Sequence, residues 1–259
     1  LEANGAVDEV EELIGLDVID AIHASYAQRR DSLIPASHTG HRPSAGVGGT
    51  RRGVKCLHAH FAHWLAGGND AVGEWVAQQL DAQGIEPNVG YSRFARDEYG
   101  VNVKTLTLNE LKADTVNIIT LFHVFEHIAN PQKAIEKLSY ILKKDGYLLI
   151  EAPNIFQQDA SPHNIFFKAH LFYYSKYTLI SAASKFFDVV QIDDKGNLKI
   201  LFKKKNTSIR SIKLPSKTAL DETLKRLNQK GWLEYLTKGG GLLKPFKNQI
   251  LIKLASLSH

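Results

Sequence analysis

Residues 122–154 read FHVFEHIANPQKAIEKLSYILKKDGYLLIEAPN, and this stretch decides the fold. Asn130 precedes Pro131, and a cap residue followed by proline in the first turn is a helix start. Ala134, Leu138, Ile141 and Leu142 then recur at helical spacing. Asp145–Gly146 marks a turn, and YLLIEA continues as an apolar run of strand length. Just upstream, TVNIITLFHVF (115–125) is almost continuously apolar. Such a strand suits a parallel sheet covered on both faces. Strand, helix, turn and strand in this order predict a βαβ unit.

Alternation continues on both sides. Upstream, GIEPN (84–88) reads as a strand end and turn, VGYSRFARDEYG (89–100) as a helix and VNVKTL (101–106) as a strand. Downstream, YSKYTLISAASKFF (174–187) reads as a helix. DVVQIDD (188–194) and LKILFKKK (198–205) form a strand pair turning at Asp194–Gly196, with FKKKN placed at the end of an edge strand. Ahead of Gly84 the texture is helical. Residues 6–30 carry Val7, Val10, Leu13, Ile14, Val18, Ile22 and Tyr26 on one face, and residues 31–53 are a loop rich in Gly, Pro, Ser, His and Thr. VKCLHAHFAHWLAGG (54–68) and NDAVGEWVAQQLDAQG (69–84) read as helices closed by Gly67–Gly68 and Gly84. A tail helix is expected near 216–230, followed by a basic apolar end that packs on the domain. These readings divide the chain into a helical segment 1–80, an α/β domain 81–205 and a helical basic extension 206–259.

Residues 84–205 resemble class I S-adenosylmethionine-dependent methyltransferases, in the variety whose fourth strand runs into an EH pair. The carrying motifs lie in order: GIEPN, TLTL (105–108), NIITLFHVFEHIANP (117–131), LKKDGYLLIEAPN (142–154) and HLFYYSKYTLISAASKFFDVVQI (170–192). The resemblance implies a Rossmann-like α/β sheet of parallel strands ending in an antiparallel pair, with S-adenosylmethionine as cofactor. It implies that Glu86 binds the ribose hydroxyls, since a carboxylate accepts two hydrogen bonds from a vicinal diol. Thr107 and Leu108 would lie by the adenine, and Phe122 and His123 by the methionine end. A histidine at the carboxyl edge is the natural proton acceptor, because its ordinary pKa lies near working pH. His127 and His123 are the candidates, with His170 third; the competing reading has Glu126 and His127 simply orienting the turn.

The same family usually begins with a strand ending in an acidic residue and a D-x-G-x-G loop. Nothing ahead of Gly84 matches it; AGGNDAVGEW (66–75) has glycines, but it follows an expected helix. The sequence therefore predicts an incomplete sheet that lacks its central first strand, and a methyltransferase-like protein impaired in cofactor binding. Residues 1–80 resemble instead the carboxyl-terminal part of DUF501, a family of unknown function, over PSAGVGGTRRGVKCLHAHFAHWLAGGNDAVGEWV (43–76). The chain reads as a chimera of two proteins with a junction near 80. On a helix, Cys56, His60 and His63 would fall on one face, a thiolate–imidazole set that suits zinc. With one cysteine in 259 residues and no fourth ligand, the preferred reading is a half-buried helix, and no metal site is assigned.

Composition narrows the function classes. Residues 1–80 carry 6 Lys+Arg against 10 Asp+Glu, and residues 81–259 carry 26 against 17. The lysines of the second part are scattered, as on a solvated surface, so no nucleic-acid partner is expected. No apolar run approaches the ~18 residues of a membrane span, and no basic-then-apolar leader opens the chain. A lone cysteine points to a reducing, cytoplasmic setting. The chain begins at Leu1 and contains no methionine, which reads as a fragment. The expected activity is methyl transfer to a small molecule or glycan precursor. The alternative is a non-catalytic DUF501-like protein of unknown function, with metal binding left open. Oligomeric state is left open.

Overall fold

The computed structural model describes residues 55–60, 81–99, 102–207 and 211–243. Among the described residues seven strands form one sheet: β1 (Lys55–His60), β2 (Asp81–Ile85), β3 (Val103–Lys104), β4 (Val116–Phe122), β5 (Leu142–Ala152), β6 (Phe187–Asp193) and β7 (Leu198–Lys204). Their order is β3-β2-β1-β4-β5-β7-β6. The first five run parallel, and β7 pairs antiparallel with both β5 and β6. This is the Rossmann-like α/β class, parallel strands with a terminal antiparallel pair, that the alternation of elements predicts. The chain moves outward from β1 through β2 to β3, then restarts at β4 on the other side of β1. That reversal places a crevice at the carboxyl ends of β1 and β4, where open α/β sheets bind ligands.

The centre of the sheet departs from expectation. Lys55–His60, read as part of a helix, is a strand between β2 and β4, with Cys56 aligned to Ala82 and to Ile118. The first central strand is therefore present, and β2 and β4 have their shared neighbour. Val54 to His60 mixes apolar residues with His and Lys without strict alternation, and a run this short fits either period. Pairing to strands on both sides decides it. Gly84, expected as a helix stop, is also within a strand, where a Cβ would come within 2.8 Å of the Val103 side chain. The helical spacing argument for Cys56 and His60 as co-ligands falls with the helix; His63 lies outside the described residues. So do the expected helix over 6–30, the loop over 31–53, the AGGNDAVGEW segment and the chain end after 243.

Several of the expected elements are present. In β4, Ile118 through Phe122 are all buried, as a doubly covered strand requires. Helix α1 spans Val89–Tyr99, and α2 spans Pro131–Ile141 with the Asn130 side chain accepting from Lys133 N at 3.0 Å. Ala134, Ile135, Leu138 and Ile141 of α2 face the core, and Leu142 already opens β5. Gly146 is needed where β5 crosses β4, since a Cβ there would stand 2.9 Å from the Asn117 carbonyl. After β5 come the short α3 (Pro162–Ile165) and α4 (Lys176–Ala183), the latter capped by Ser175. The FKKKN run is not at an edge: β7 lies between β5 and β6, and β6 is the outer strand. Helix α5 (Lys217–Gln229) docks on α4 through Ser175 Oγ and Thr223 Oγ1 at 3.0 Å, and α6 (Trp232–Thr237) follows, with Glu234 paired to Arg226. Among the described residues no helix is long and apolar enough to cross a membrane.

Candidate active site

The crevice has two ends. At the first, β2 ends at Ile85 and the next residue is Glu86. Glu86 is buried, its amide donates to the Lys104 carbonyl at 3.0 Å, and Oε1 accepts from Asn88 N at 2.7 Å. Burial pushes its carboxyl upward, while the Asn88 hydrogen bond acts the other way. Beyond β3, Thr107 precedes a 3-10 turn at Leu108–Glu110. The Glu110 carboxylate accepts from Thr107 N at 2.7 Å and from Thr107 Oγ1 at 2.8 Å. The two Thr107 bonds hold Glu110 below the usual carboxylate range. Leu108 packs half-buried on the core beside them. These residues form a closed turn with one apolar face, at the same sheet edge as Glu86.

At the second end, β4 stops at buried Phe122 and the chain leaves the sheet at His123. His123 has φ of 52°, a left-handed conformation unusual for a non-glycine residue. Its amide donates to the Glu151 carbonyl on β5 at 2.9 Å, which ties this exit to the neighbouring strand. The ring stands between two buried carboxylates: Nδ1 is 3.3 Å from Glu126 Oε1, and Nε2 is 3.4 Å from Glu151 Oε1. Burial alone would lower the imidazole pKa; the two carboxylates reverse that and push it up to about 9. Glu151 feels the same forces in mirror image. Burial would raise it, but His123, Asn197 and Lys199 hold it below its ordinary value. The Asn197 amide group, from the turn between β6 and β7, donates to Glu151 Oε1 at 2.7 Å and lies 2.9 Å from His123 Nε2.

A 3-10 turn at Phe125–His127 carries Glu126 and His127 directly after this exit. The Glu126 carbonyl accepts from Leu171 N at 2.9 Å and Phe172 N at 3.2 Å, pinning the segment that bears His170. His127 and His170 meet edge to face with ring centroids 4.9 Å apart. Each imidazole points Nδ1 at a backbone carbonyl 2.9 Å away, Ala169 for His127 and Ile165 for His170. A carbonyl only accepts, so both Nδ1 atoms carry the proton. Both Nε2 atoms face Glu126 Oε1, at 3.9 Å from His127 and 3.8 Å from His170. Burial, the largest influence, lowers the pKa of His127. Glu126 itself is fully buried, and neither of its carboxylate oxygens takes part in a hydrogen bond. The Tyr174 hydroxyl is likewise buried without a hydrogen-bond partner, and burial together with Glu126 pushes that phenol upward.

The structure thus brings His123 and His127 together, and puts Glu86, Thr107 and Leu108 at the other end of the same edge. Glu151 and Asn197 were not singled out in the sequence. Nothing in DDKGNLKI marks Asn197, because its role comes from a strand pairing. His170 lies 43 residues from His127, and only the fold makes them neighbours. The sequence assigned no metal ligands, whereas the atoms offered by Glu126, His127 and His170 all lie within 4.8 Å of one another.

Comparison with known proteins bears on the two parts of the chain and on the fold. Residues 1–78 match the family model described as a protein of unknown function, DUF501, and residues 68–192 match a methyltransferase domain. Strand β1 falls within the first match and ahead of the second. None of the curated proteins compared matches the chain. Among solved structures, a complex of the Haloferax volcanii Trm112 methyltransferase activator with a candidate methyltransferase aligns at 10% identity with a TM-score of 0.50. The match covers 61% of this chain and 85% of that one. A SAM-dependent methyltransferase from Aquifex aeolicus aligns at 15% identity and a TM-score of 0.48, covering 78% of this chain and 98% of that one. At 10% identity the likeness to the Haloferax volcanii complex speaks to fold alone; residues 68–192 are similar to a methyltransferase domain and residues 1–78 to DUF501.

Proposed function

We propose that the chain is an S-adenosylmethionine-dependent methyltransferase acting on a small molecule or glycan precursor. The observation that carries this reading is the polar crevice edge, with Glu86 leaving β2 at one end and His123 leaving β4 at the other, on either side of a central strand that is present. The donor set fits the cofactor. Glu86 is a buried carboxylate whose Oε1 is held by Asn88, which fixes its orientation for the ribose hydroxyls. Thr107 and Leu108 offer a turn and an apolar face for the adenine. Phe122 and His123 stand at the methionine end. The cofactor, when bound, supplies an electrophilic methyl group on a sulfonium. The protein's own task is to align the acceptor and take up its proton. His127, with His123 second, marks where that proton leaves.

Calorimetric titration with S-adenosylhomocysteine tests the reading, with Glu86→Ala beside the natural chain. Micromolar binding weakened by Glu86→Ala is expected. A chain that melts cooperatively yet binds nothing sinks the enzyme reading. That outcome would favour the second reading, a non-catalytic DUF501-like protein, which the match over 1–78 supports.

A further inference from the structure

We propose that Glu126, His127 and His170 form a binding site for one divalent transition-metal ion of the zinc or manganese class. Four features of the cluster point there. The ligand atoms are two imidazole Nε2 atoms and a carboxylate oxygen, a set that suits first-row transition metals and, at three protein ligands, leaves a position open for substrate. Both imidazoles are held by Nδ1–H donation to carbonyls at 2.9 Å, the outer-shell arrangement that presents Nε2 to a metal. The spacing fits: Oε1 stands 3.8 and 3.9 Å from the two Nε2 atoms, and ligands on an ion with bonds of about 2.1 Å stand roughly 3.4 Å apart. The three ligand atoms lie within 4.8 Å of one another, and binding an ion draws them together. Finally, Glu126 is fully buried with both carboxylate oxygens outside any hydrogen bond. His123 Nδ1 at 3.3 Å from Oε1 balances part of this charge, and a metal ion would complete the remainder.

The ligands come from two places in the chain. Glu126 and His127 ride on the turn after β4, and His170 arrives on the segment that Glu126 anchors through Leu171 and Phe172. An ion here sits at the acceptor end of the crevice, and this part of the inference rests on the methyltransferase reading. It selects an acceptor with a hydroxyl group, whose oxygen fills the open position. The O–H bond breaks with the proton passing to solvent. The oxygen–methyl bond forms as the methyl–sulfur bond breaks, and that electron pair stays on sulfur. His127 then acts as ligand, and the ion replaces it as the group that eases proton loss.

The test needs no cofactor. The purified full chain is dialysed against chelator and titrated with Zn²⁺, and separately with Co²⁺ to read ligand-field bands in the visible. One ion per chain is expected. Glu126→Gln and His170→Gln should each weaken binding on the order of 100-fold while retaining the far-UV circular dichroism of the parent. His163→Gln, at an exposed histidine in α3, should bind like the parent. A parent chain that takes up no ion overturns the proposal. So does an ion that stays equally tight in both variants, since it would then sit elsewhere. Ion binding without S-adenosylhomocysteine binding would leave the metal site standing and remove the methyltransferase reading instead.

Discussion

The two ends of the crevice solve the same problem differently. At the β2 end, the side chains named are settled by residues close in sequence: the Glu86 carboxylate by Asn88, and Thr107 by Glu110. At the β4–β5 end the partners are remote. His123 meets Glu151, Asn197 reaches both from 46 and 74 residues away, and Glu126 faces His170 across the fold. A locally satisfied turn can keep its shape when the sheet breathes. The remote cluster holds its shape only while β4, β5 and the β6–β7 turn stay in register. It concentrates buried charge, and its Glu126 carboxylate stands 3.3 Å from His123 yet takes part in no hydrogen bond. On the proposed methyltransferase reading, the quiet end would grip the cofactor and the charged end would act on the acceptor.

The sharpest way to break this contrast is Glu151→Ala. It leaves the His123 imidazolium buried beside a lost partner, and removing one member of such a pair costs about 3–5 kcal/mol. Chemical denaturation should show a loss of that size; a loss below about 1 kcal/mol would mean that the remote cluster is no more demanding than the local turns. Next is Glu86→Ala. Its effect should fall on binding rather than stability, with S-adenosylhomocysteine affinity reduced by about 1.5–3 kcal/mol, as for hydrogen bonds to a charged group. Equal damage to the melting temperature in the two variants would erase the distinction between gripping and acting ends.

Acid should separate the two ends as well. Glu151 has a folded pKa below its ordinary value near 4.5, so its contribution is complete above that value and is lost as pH falls through the depressed one. The melting temperature of the parent chain should therefore drop below about pH 4.5 more steeply than that of Glu151→Gln. Parallel profiles would remove Glu151 from the account. The smallest effect is expected at Thr107→Ala. An exposed turn that loses its hydroxyl contact should cost about 0.5–1 kcal/mol. It should change S-adenosylhomocysteine affinity only a few-fold, measured in the same titration.

Much of this molecule is written locally. The apolar run 115–122, the Asn130–Pro131 helix start, the Asp194–Gly196 turn and the EH pair each carry their structure within a few residues, because caps, turns and doubly covered strands are short-range devices. From those alone, the α/β class, the parallel strands with an antiparallel end, and the methyltransferase likeness of the second part could be read. Lys55–His60 could not. Six residues with neither strict alternation nor a helical stripe take their conformation from neighbours, and here two strands bind both of the segment's edges. His170 and Asn197 are the same case at the level of side chains. What brings them to Glu126 and Glu151 is the antiparallel return of β7 beside β5 and the anchoring of residues 171–172, and non-local pairing leaves no mark on any short window of sequence.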